Sequence, residues 1–370
     1  MTNDTCNFTL THQNSEESSS FCWWKSIPEF KSPYDSSSSS SSSMFKVLRE
    51  MERLRMISEQ GVDELKHKLM IYKSGDFWLP IGGIKKEEMD IPPIITVLLV
   101  GLSGSGKSSL VNFMYSVLGR SGLIPFSQTS NESSNYSTMI LEEHNVLRSQ
   151  RNGFCVYDSR GLDLDRMEEG IEEIKEWMTN GIRHNQPCRF GEDDVGLSLN
   201  CSSGGFVKRR VNYVVVVANL ADVYKAFFSG GDLKPVLAIK SLFHCSSIRT
   251  SNSDPILILT HGDTLKPIER INGRIQICSY LGIPVTTGAY DIACLTEEGI
   301  LPEESDLVTY FALTEAIYRT LLQSDRTHSP KKTYKHRIVY ILSRVMCSLA
   351  WFFGMLSHVF QKLGDKKKNG

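Results

Sequence analysis

Short apolar runs alternate with segments of helical periodicity over most of the chain. The apolar runs are Ile94–Val100, Met139–Leu147, Gly153–Asp158, Val211–Leu220, Pro255–Thr260 and Ile283–Thr287. The segments between them predict helices over Ser108–Leu118, Arg166–Thr179, Asp232–His244, Ile268–Leu281 and Leu307–Leu322. Strands that are apolar throughout and separated by helices are typical of a mostly parallel sheet with helices on both faces. The pattern therefore predicts an α/β fold of three layers.

The first 90 residues follow a different pattern. Residues 1–43 are rich in Ser, Asn and Thr and end in the serine run Ser36–Ser43, a composition that buries too little apolar surface to offset the entropy of ordering. We expect a disordered tail there. In residues 44–90, apolar positions recur at mostly three- and four-residue spacing, which predicts an amphipathic helix, with Gly61 as a candidate break, and a linker. Those positions are Val47, Leu48, Met51, Leu54, Ile57, Val62, Leu65 and Leu69.

The carboxyl-terminal residues 326–370 predict a basic and apolar helix. Val345–Phe360 contains no Lys, Arg, Asp or Glu, and basic residues flank it on both sides. Spanning a bilayer takes about 20 apolar residues, and this stretch is a little shorter. Three alternatives stay open: a helix packed on the protein or on a partner, an interfacial helix with its basic flanks on anionic head groups, and a tail anchor.

Composition narrows the classes of function. The formal net charge is −1, from 41 Lys and Arg against 42 Asp and Glu, so no basic field favours nucleic acid as a partner. Nine cysteines without a C-x-x-C pair support neither a zinc ribbon nor a redox motif. An odd number of thiols and an amino terminus unlike a signal peptide favour a cytoplasmic location, with the carboxyl-terminal helix as the candidate membrane contact.

A glycine-rich motif follows the first apolar run and precedes a predicted helix. It matches G-x-x-x-x-G-K-[ST], in which backbone N–H groups surround phosphates and the helix dipole adds positive potential. Lys107 is expected to reach the β- and γ-phosphates and the Ser108 hydroxyl to hold Mg²⁺. The predicted nucleotide-binding residues here are Gly101, Ser103, Gly104, Ser105, Gly106, Lys107, Ser108 and Ser109. The motif predicts binding of a nucleoside triphosphate but does not choose between GTP and ATP.

Two more motifs end later strands. Asp158-Ser159-Arg160-Gly161 is a D-x-x-G, in which Asp158 is a candidate Mg²⁺ ligand and the Gly161 N–H a candidate contact of the γ-phosphate. Thr260-His261-Gly262-Asp263 places a carboxylate where it can accept hydrogen bonds from guanine N1–H and N2–H₂, which adenine does not offer. The loop Thr286–Ala289 follows a predicted strand and is a candidate for a contact with guanine O6.

The order and spacing of these motifs resemble the GTPase fold over residues 91–325, with an irregular insertion at 185–210. The resemblance implies the P-loop NTPase three-layer fold with helical extensions at both termini. Within GTPases, Thr-His in place of the usual Asn-Lys is similar to the septin-like branch, which includes immunity-associated and chloroplast import receptor GTPases. The region of the P-loop is also similar to an interferon-induced GTPase-like family. The resemblance implies guanine binding by Thr260, His261 and Asp263 and catalytic roles for Lys107 and Gly161.

The resemblance is incomplete in its hydrolytic and switch residues. Leu162 stands where Ras-like GTPases carry a Gln that orients the attacking water, so slow hydrolysis is expected unless a partner supplies a polar group. The septin-like branch implies a homodimer across the nucleotide face. Thr138 and Thr129 are both candidates for the switch threonine that contacts Mg²⁺. The sequence therefore favours a switch or slow GTPase, and a scaffold with negligible hydrolysis and an ATP-dependent small-molecule kinase remain alternatives.

Overall fold

The computed structural model describes residues 22–27, 39–80, 85–119, 138–147, 153–188, 205–249, 254–294, 306–331 and 342–355. Within these ranges, seven strands form one sheet in the order β4-β2-β3-β1-β5-β6-β7. In chain order they are β1 (Ile95–Gly101), β2 (Ile140–His144), β3 (Phe154–Asp158), β4 (Gln186–Pro187), β5 (Tyr213–Asn219), β6 (Ile256–Thr260) and β7 (Ala289–Asp291).

Helices connect and cover these strands. They are α1 (Ser39–Ile71), α2 (Lys107–Leu118), α3 (Met167–Asn180), α4 (Leu220–Phe228), α5 (Lys234–Phe243), α6 (Pro267–Leu281), α7 (Leu307–Arg326) and α8 (342–355). Among the described residues, three short 3₁₀ turns occupy Trp23–Ser26, Lys86–Glu88 and Gly262–Thr264.

Five neighbouring strands of the sheet, β3, β1, β5, β6 and β7, are parallel to one another. Strand β2 is antiparallel to β3, and the edge strand β4 is antiparallel to β2. Because the carboxyl ends of parallel strands meet at one edge of a sheet, the loops after Gly101, Asp158 and Thr260 are brought together. This edge holds the motifs that the sequence singled out.

Successive residues of the central strands point into two different cores. Leu98 and Val100 of β1 pack with α3, α4, α5 and α6, whereas Val97 and Leu99 pack with α2 and α7. All seven residues of β1 are buried, as expected for a strand with helices on both faces. The prediction of a mostly parallel sheet in a three-layer α/β fold is confirmed.

A third core joins the amino-terminal region to α6 and α7. Helix α1 runs through Gly61 without a break. A Cβ at this position would lie 2.5 Å from the ring of Phe311, so the glycine lets α7 approach α1. The segment Cys22–Ile27 packs into the same core with Trp24 fully buried. The sequence placed this segment in a disordered tail, and it is instead a packed part of the fold.

Two other expectations about the elements differ from the structure. The predicted strand Ile283–Thr287 is wrong, and β7 forms at Ala289–Asp291. The apolar run Val211–Leu220 divides at Asn219, whose side chain accepts hydrogen bonds from the N–H groups of Ala221 and Asp222 and caps α4, a helix that the sequence did not predict. In the expected insertion 185–210, Gln186–Pro187 forms β4 and residues 189–204 lie outside the described ranges.

The described residues divide into two compact units. The first contains residues up to Leu79 and from Pro92 to Thr327, and the second contains Pro80–Ile91 and the residues from His328 onward. In the second unit the Lys331 N–H donates to the Glu88 carbonyl at 2.7 Å. Its helix α8 exposes eight large apolar side chains, Leu342, Val345, Met346, Leu349, Trp351, Phe352, Phe353 and Met355. Among the described helices, none combines the length and apolar character needed to cross a bilayer.

Candidate functional site

The glycine-rich loop Gly101–Ser108 connects β1 to α2. Gly106 is the N-cap of α2 and has a φ of +81. This position therefore needs a residue that adopts the left-handed region without strain, as glycine does. Gly101 touches β5, because a Cβ there would lie 2.2 Å from the Val217 carbonyl oxygen. A strand, a tight glycine loop and a helix in this order at the carboxyl edge of a parallel sheet form the P-loop NTPase fold.

Lys107 lies beneath the loop with 6% of its surface exposed. Its ammonium donates to the Leu102 carbonyl at 3.1 Å and to the Gly101 carbonyl at 3.4 Å. Burial lowers the pKa of Lys107 to about 8, while the carboxylate of Asp158 favours the charged form. Bound phosphates would favour that charged form further, as in other P-loops.

Three oxygen atoms gather at the start of α2. The Ser108 hydroxyl donates to Asp158 Oδ2 at 2.5 Å and lies 3.3 Å from the Thr138 hydroxyl. Carboxylate and hydroxyl oxygens suit Mg²⁺, which prefers one or two protein ligands together with phosphate and water oxygens. Within the described ranges, no three His, Cys, Asp or Glu side chains gather to hold a metal ion by themselves. These residues fit a magnesium ion that arrives with a nucleotide, and Thr129, the other switch candidate, lies outside the described residues.

The segment after Asp158 pairs with the phosphate loop as a continuation of the sheet. The Leu162 N–H donates to the Gly101 carbonyl at 3.0 Å, and the Ser103 N–H donates to the Leu162 carbonyl at 2.9 Å. Gly161 lies so close that a Cβ there would be 2.4 Å from Ser103 Cα. Gly161 is therefore held against the loop in a position that no other residue can take without displacing backbone.

The side chain of Leu162 is buried in the core. It is 2% exposed and packs in the core between the sheet and α3, α4, α5 and α6. Its neighbour Arg160 is 7% exposed and also lies inside the protein. The backbone N–H of Arg160 donates to the thiol of Cys188, whose pKa burial raises to about 12. Cys188 is a neighbour of this region that no motif in the sequence indicated.

The loop after β6 contacts the phosphate loop directly. The Thr260 hydroxyl donates to the Ser105 carbonyl at 2.8 Å, and His261 Nδ1 lies 2.8 Å from the same hydroxyl oxygen. Both bonds form together when His261 carries its proton on Nδ1. A Cβ on Gly106 would lie 3.1 Å from His261 Cε1, so the imidazole lies against the end of the phosphate loop. Asp263 follows in the turn Gly262–Thr264 with its side chain exposed.

The candidate contact for guanine O6 is not where the sequence placed it. Residues Thr286–Gly288 precede β7, and β7 is parallel to β6, so this loop lies at the opposite edge of the sheet from Asp263. The segment that follows β7, Ile292–Cys294, lies at the same edge of the sheet as Asp263. Burial raises the pKa of the Cys294 thiol, and the carboxylates of Asp263 and Asp291 add to that shift.

A cavity of about 310 Å³ opens beside the phosphate loop. Ser103 and Ser105 form one wall, the segment after Gly161 forms another, and α4 and α5 close the third side. Its rim carries Lys234 and the four carboxylates of Asp163, Asp165, Asp222 and Asp232. Because the loop and the segment after Gly161 share this cavity, a movement of that segment changes the wall of the phosphate site.

No protein-family model matches the sequence, and no curated protein matches it. Among solved structures, the chain is similar to a dimerization-deficient mutant of Toc33 from Arabidopsis thaliana, at 17% identity and a TM-score of 0.36 over 73% of this chain and 97% of that one. It is also similar to the septin GTPase domain from Chlamydomonas reinhardtii, at 12% identity and a TM-score of 0.33 over 63% of this chain and 93% of that one. With scores this low, neither likeness bears on what this chain binds.

Proposed function

We propose that the chain is a GTP-binding protein of septin-like type that acts as a nucleotide-dependent switch or slow GTPase. The observation that carries the proposal is the hydrogen bond from the Thr260 hydroxyl to the Ser105 carbonyl, which holds the loop of Asp263 beside the phosphate loop. A nucleotide bound through its phosphates then has its base next to the Asp263 carboxylate. That carboxylate accepts hydrogen bonds from guanine but finds no N1–H or 2-amino donor on adenine.

The residues around the phosphates have separate roles in this proposal. Lys107 neutralises the β- and γ-phosphates, and the N–H groups of the loop from Gly101 to Ser108 bind the remaining oxygens. Ser108, Asp158 and Thr138 hold Mg²⁺, which when bound neutralises charge that develops on the phosphates. The N–H of Gly161 contacts the γ-phosphate and links its presence to the segment that follows.

Slow hydrolysis follows from the position of Leu162. Its side chain is buried in the core and is apolar, so it does not orient an attacking water. A second copy of the chain that meets the nucleotide face is the proposed source of the missing polar group. The nucleotide-gated scaffold with negligible hydrolysis is the outcome if no such group arrives.

The phosphate site is tested by titration of the full chain with a fluorescent GTP analogue. Lys107→Ala removes the charge that faces the phosphates, and Ser108→Ala removes a magnesium ligand, so both variants are expected to lose at least tenfold in affinity. Ser58→Ala is the matched control, because Ser58 is a buried helical serine whose hydroxyl donates to the Arg55 carbonyl far from the loop. Undiminished affinity in both site variants would remove the proposed site.

The choice of base is tested by competition among nucleotides. Asp263→Asn replaces one acceptor oxygen by a donor, so it is expected to weaken GTP and to favour xanthosine triphosphate, which carries an oxygen in place of the 2-amino group. A wild-type protein that prefers ATP would instead support the kinase alternative.

Self-association is tested by hydrolysis measured across a hundredfold range of protein concentration. If a second copy completes the site, the rate per molecule rises with concentration, and sedimentation finds more dimer with GTP than with GDP. A constant specific activity from a monomer would leave the switch without activation by a second copy.

The exposed apolar side chains of α8 support a second role. Trp351 is 68% exposed and Phe353 is 61% exposed, and Lys331–Lys332 and Lys366–Lys368 flank the helix in the sequence. We infer that α8 associates with an anionic lipid surface. In a flotation assay, the full chain is expected to rise with vesicles that contain phosphatidylserine. A variant with Trp351→Glu and Phe353→Glu is expected to stay at the bottom of the gradient. Equal flotation of both proteins would contradict this role.

A further inference from the structure

A buried ion pair lies beneath the loop that carries Asp263. Arg270 of α6 donates from Nε to Asp291 Oδ2 at 2.6 Å and from Nη2 to Asp291 Oδ1 at 2.9 Å. The two side chains are 7% and 2% exposed. The ion pair raises the pKa of Arg270 although burial acts against it. A bidentate contact of this kind fixes the guanidinium and the carboxylate in one geometry, because both hydrogen bonds must be kept at once.

The loop rests on this ion pair through Gly262. A Cβ at Gly262 would lie 2.6 Å from Arg270 Nε and 2.7 Å from Asp291 Oδ1. Gly262 lies between His261, which contacts the phosphate loop, and Asp263. The backbone at the centre of the loop is therefore in contact with the pair, and a shift of either charged group displaces Asp263.

The amino-terminal segment covers the ion pair. The Arg270 guanidinium lies 4.2 Å from the centre of the Trp23 ring, a cation–π contact. Trp23 is held in turn by Trp24, whose ring meets it edge-on at 5.8 Å and whose indole N–H donates to Glu52 of α1 at 3.4 Å. Because Trp24 is fully buried, Trp23 is fixed from within the third core.

We propose that Arg270, Asp291 and Trp23 position the base-reading loop, so that selectivity for guanine depends on the amino-terminal segment Cys22–Ile27. The inference rests on the proposed function, in which Asp263 reads guanine. All three are positioning residues, because they act through Gly262 and not on the nucleotide. Two hydrogen bonds from one base to one carboxylate need the carboxylate in place to within about half an ångström, which is why a support beneath the loop affects selectivity.

The readout is the ratio of the affinities for GTP and inosine triphosphate. Inosine triphosphate keeps the phosphates, N1–H and O6 of GTP but lacks the 2-amino group, which in the proposal donates a hydrogen bond to the Asp263 carboxylate. Loss of positioning lowers this ratio, whereas a general loss of stability lowers both affinities together. The full chain is used, and thermal unfolding identifies the temperature at which every variant is folded.

Two variants weaken the support without leaving a charge unpaired. Arg270→Lys keeps the positive charge but loses the fork that binds both oxygens of Asp291. Trp23→Leu keeps an apolar cover but removes the ring, and Trp23→Phe is expected to restore part of the effect. In Arg270→Lys and Trp23→Leu the ratio is expected to fall roughly three- to tenfold, as when one hydrogen bond to a charged group is weakened.

Arg274→Lys is the matched control. Arg274 lies one turn further along α6, is also buried, and donates to the carbonyls of Val285 at 2.9 Å, Thr286 at 3.2 Å and Ala289 at 2.9 Å. These contacts support the opposite end of β7, so this substitution is expected to lower the melting temperature and leave the ratio unchanged. The double variant Arg270→Met with Asp291→Leu removes both charges and so avoids an unpaired one, and it is expected to fold and lose selectivity.

Ratios in Arg270→Lys, Trp23→Leu and the double variant that equal those of the wild type and of Arg274→Lys would overturn the positioning role. If the wild type itself binds GTP and inosine triphosphate equally, Asp263 does not read the 2-amino group and the proposed function fails instead. The two failures are therefore distinguishable in one set of titrations.

Discussion

The Thr260 hydroxyl and the Ser105 carbonyl, 155 residues apart in the chain, form a hydrogen bond of 2.8 Å in a fully buried position. Thr260 is the last residue of β6, and Ser105 lies at the turn of the phosphate loop. The bond joins the loop that would read a base to the loop that would bind phosphates. Such a link makes the two halves of a nucleotide site depend on each other.

Thr260→Val is expected to weaken GTP binding while preserving the shape of the side chain. The Ser105 carbonyl loses its donor, and a buried polar group without a partner costs about 1–2 kcal/mol, or about 5- to 30-fold in a dissociation constant if the cost falls on the bound state. Titration with a fluorescent GTP analogue measures it. Thr320→Val is the control, since the Thr320 hydroxyl is also buried and donates to the Ala316 carbonyl at 2.8 Å within α7. Equal losses of affinity in the two variants would contradict the link.

Gly161→Ala is expected to reduce triphosphate binding by at least tenfold. The added Cβ would lie 2.4 Å from Ser103 Cα, and because that atom belongs to the backbone, either the phosphate loop or the segment after Asp158 must move. Overpacking of this kind costs about 1–3 kcal/mol. Gly205→Ala is the control, because a Cβ at Gly205 meets nothing within 4 Å. Isothermal titration with GTP and Mg²⁺ compares the two, and wild-type affinity in Gly161→Ala would exclude Gly161 from the site.

The parts of the site that lie in short contiguous motifs were open to prediction from the sequence. Each of the motifs Gly101–Ser108 and Thr260–Asp263 lies at the end of an apolar strand. Parallel strands end at the same edge of a sheet, so the two motifs are expected to lie close together. The choice between Thr129 and Thr138 was not open, because both lie in a polar segment without periodicity. Only the distance of 3.3 Å between the hydroxyls of Ser108 and Thr138 favours one of them.

The parts that depend on distant pairing gave no local signal. Arg270 and Asp291 are ordinary charged residues in the sequence, and their ion pair exists because α6 and β7 pack side by side. The pair Trp23-Trp24 was the one usable sign in the amino-terminal region, since two adjacent tryptophans are out of place in a Ser-rich tail. Helix α4 was missed because the apolar run of β5 continues into its first residue, and the boundary depends on the cap formed by Asn219.

Thiol reagents are expected to modify the exposed Cys347 before the buried cysteines. Burial raises the pKa of Cys155 and of Cys188 to about 12 and that of Cys278 to about 11, so at pH 8 these thiols stay protonated and lack the reactive thiolate. Among the described cysteines, Cys347 is exposed. Iodoacetamide at pH 8, read out by peptide mass spectrometry, should label Cys347 before these three, and labelling in urea should remove the difference. Early labelling of Cys188 would show that the region beside Arg160 opens in solution.

Leu162→Gln is expected to destabilise the protein without accelerating hydrolysis. The side chain at this position is buried among apolar groups, and the backbone is held by hydrogen bonds to Gly101 and Ser103, so we expect the amide of a glutamine to be buried in the core and not presented to the γ-phosphate. An amide placed in this core costs about 1–3 kcal/mol. Leu164→Gln makes the same chemical change two residues on, where the side chain is 37% exposed, and should change stability by less than about 0.5 kcal/mol. Thermal unfolding together with single-turnover GTP hydrolysis measures both effects. If Leu162→Gln instead hydrolysed GTP faster at unchanged stability, the side chain would face the nucleotide in the bound state, and the slow rate would be a property of that one residue and not of a group that a partner must supply.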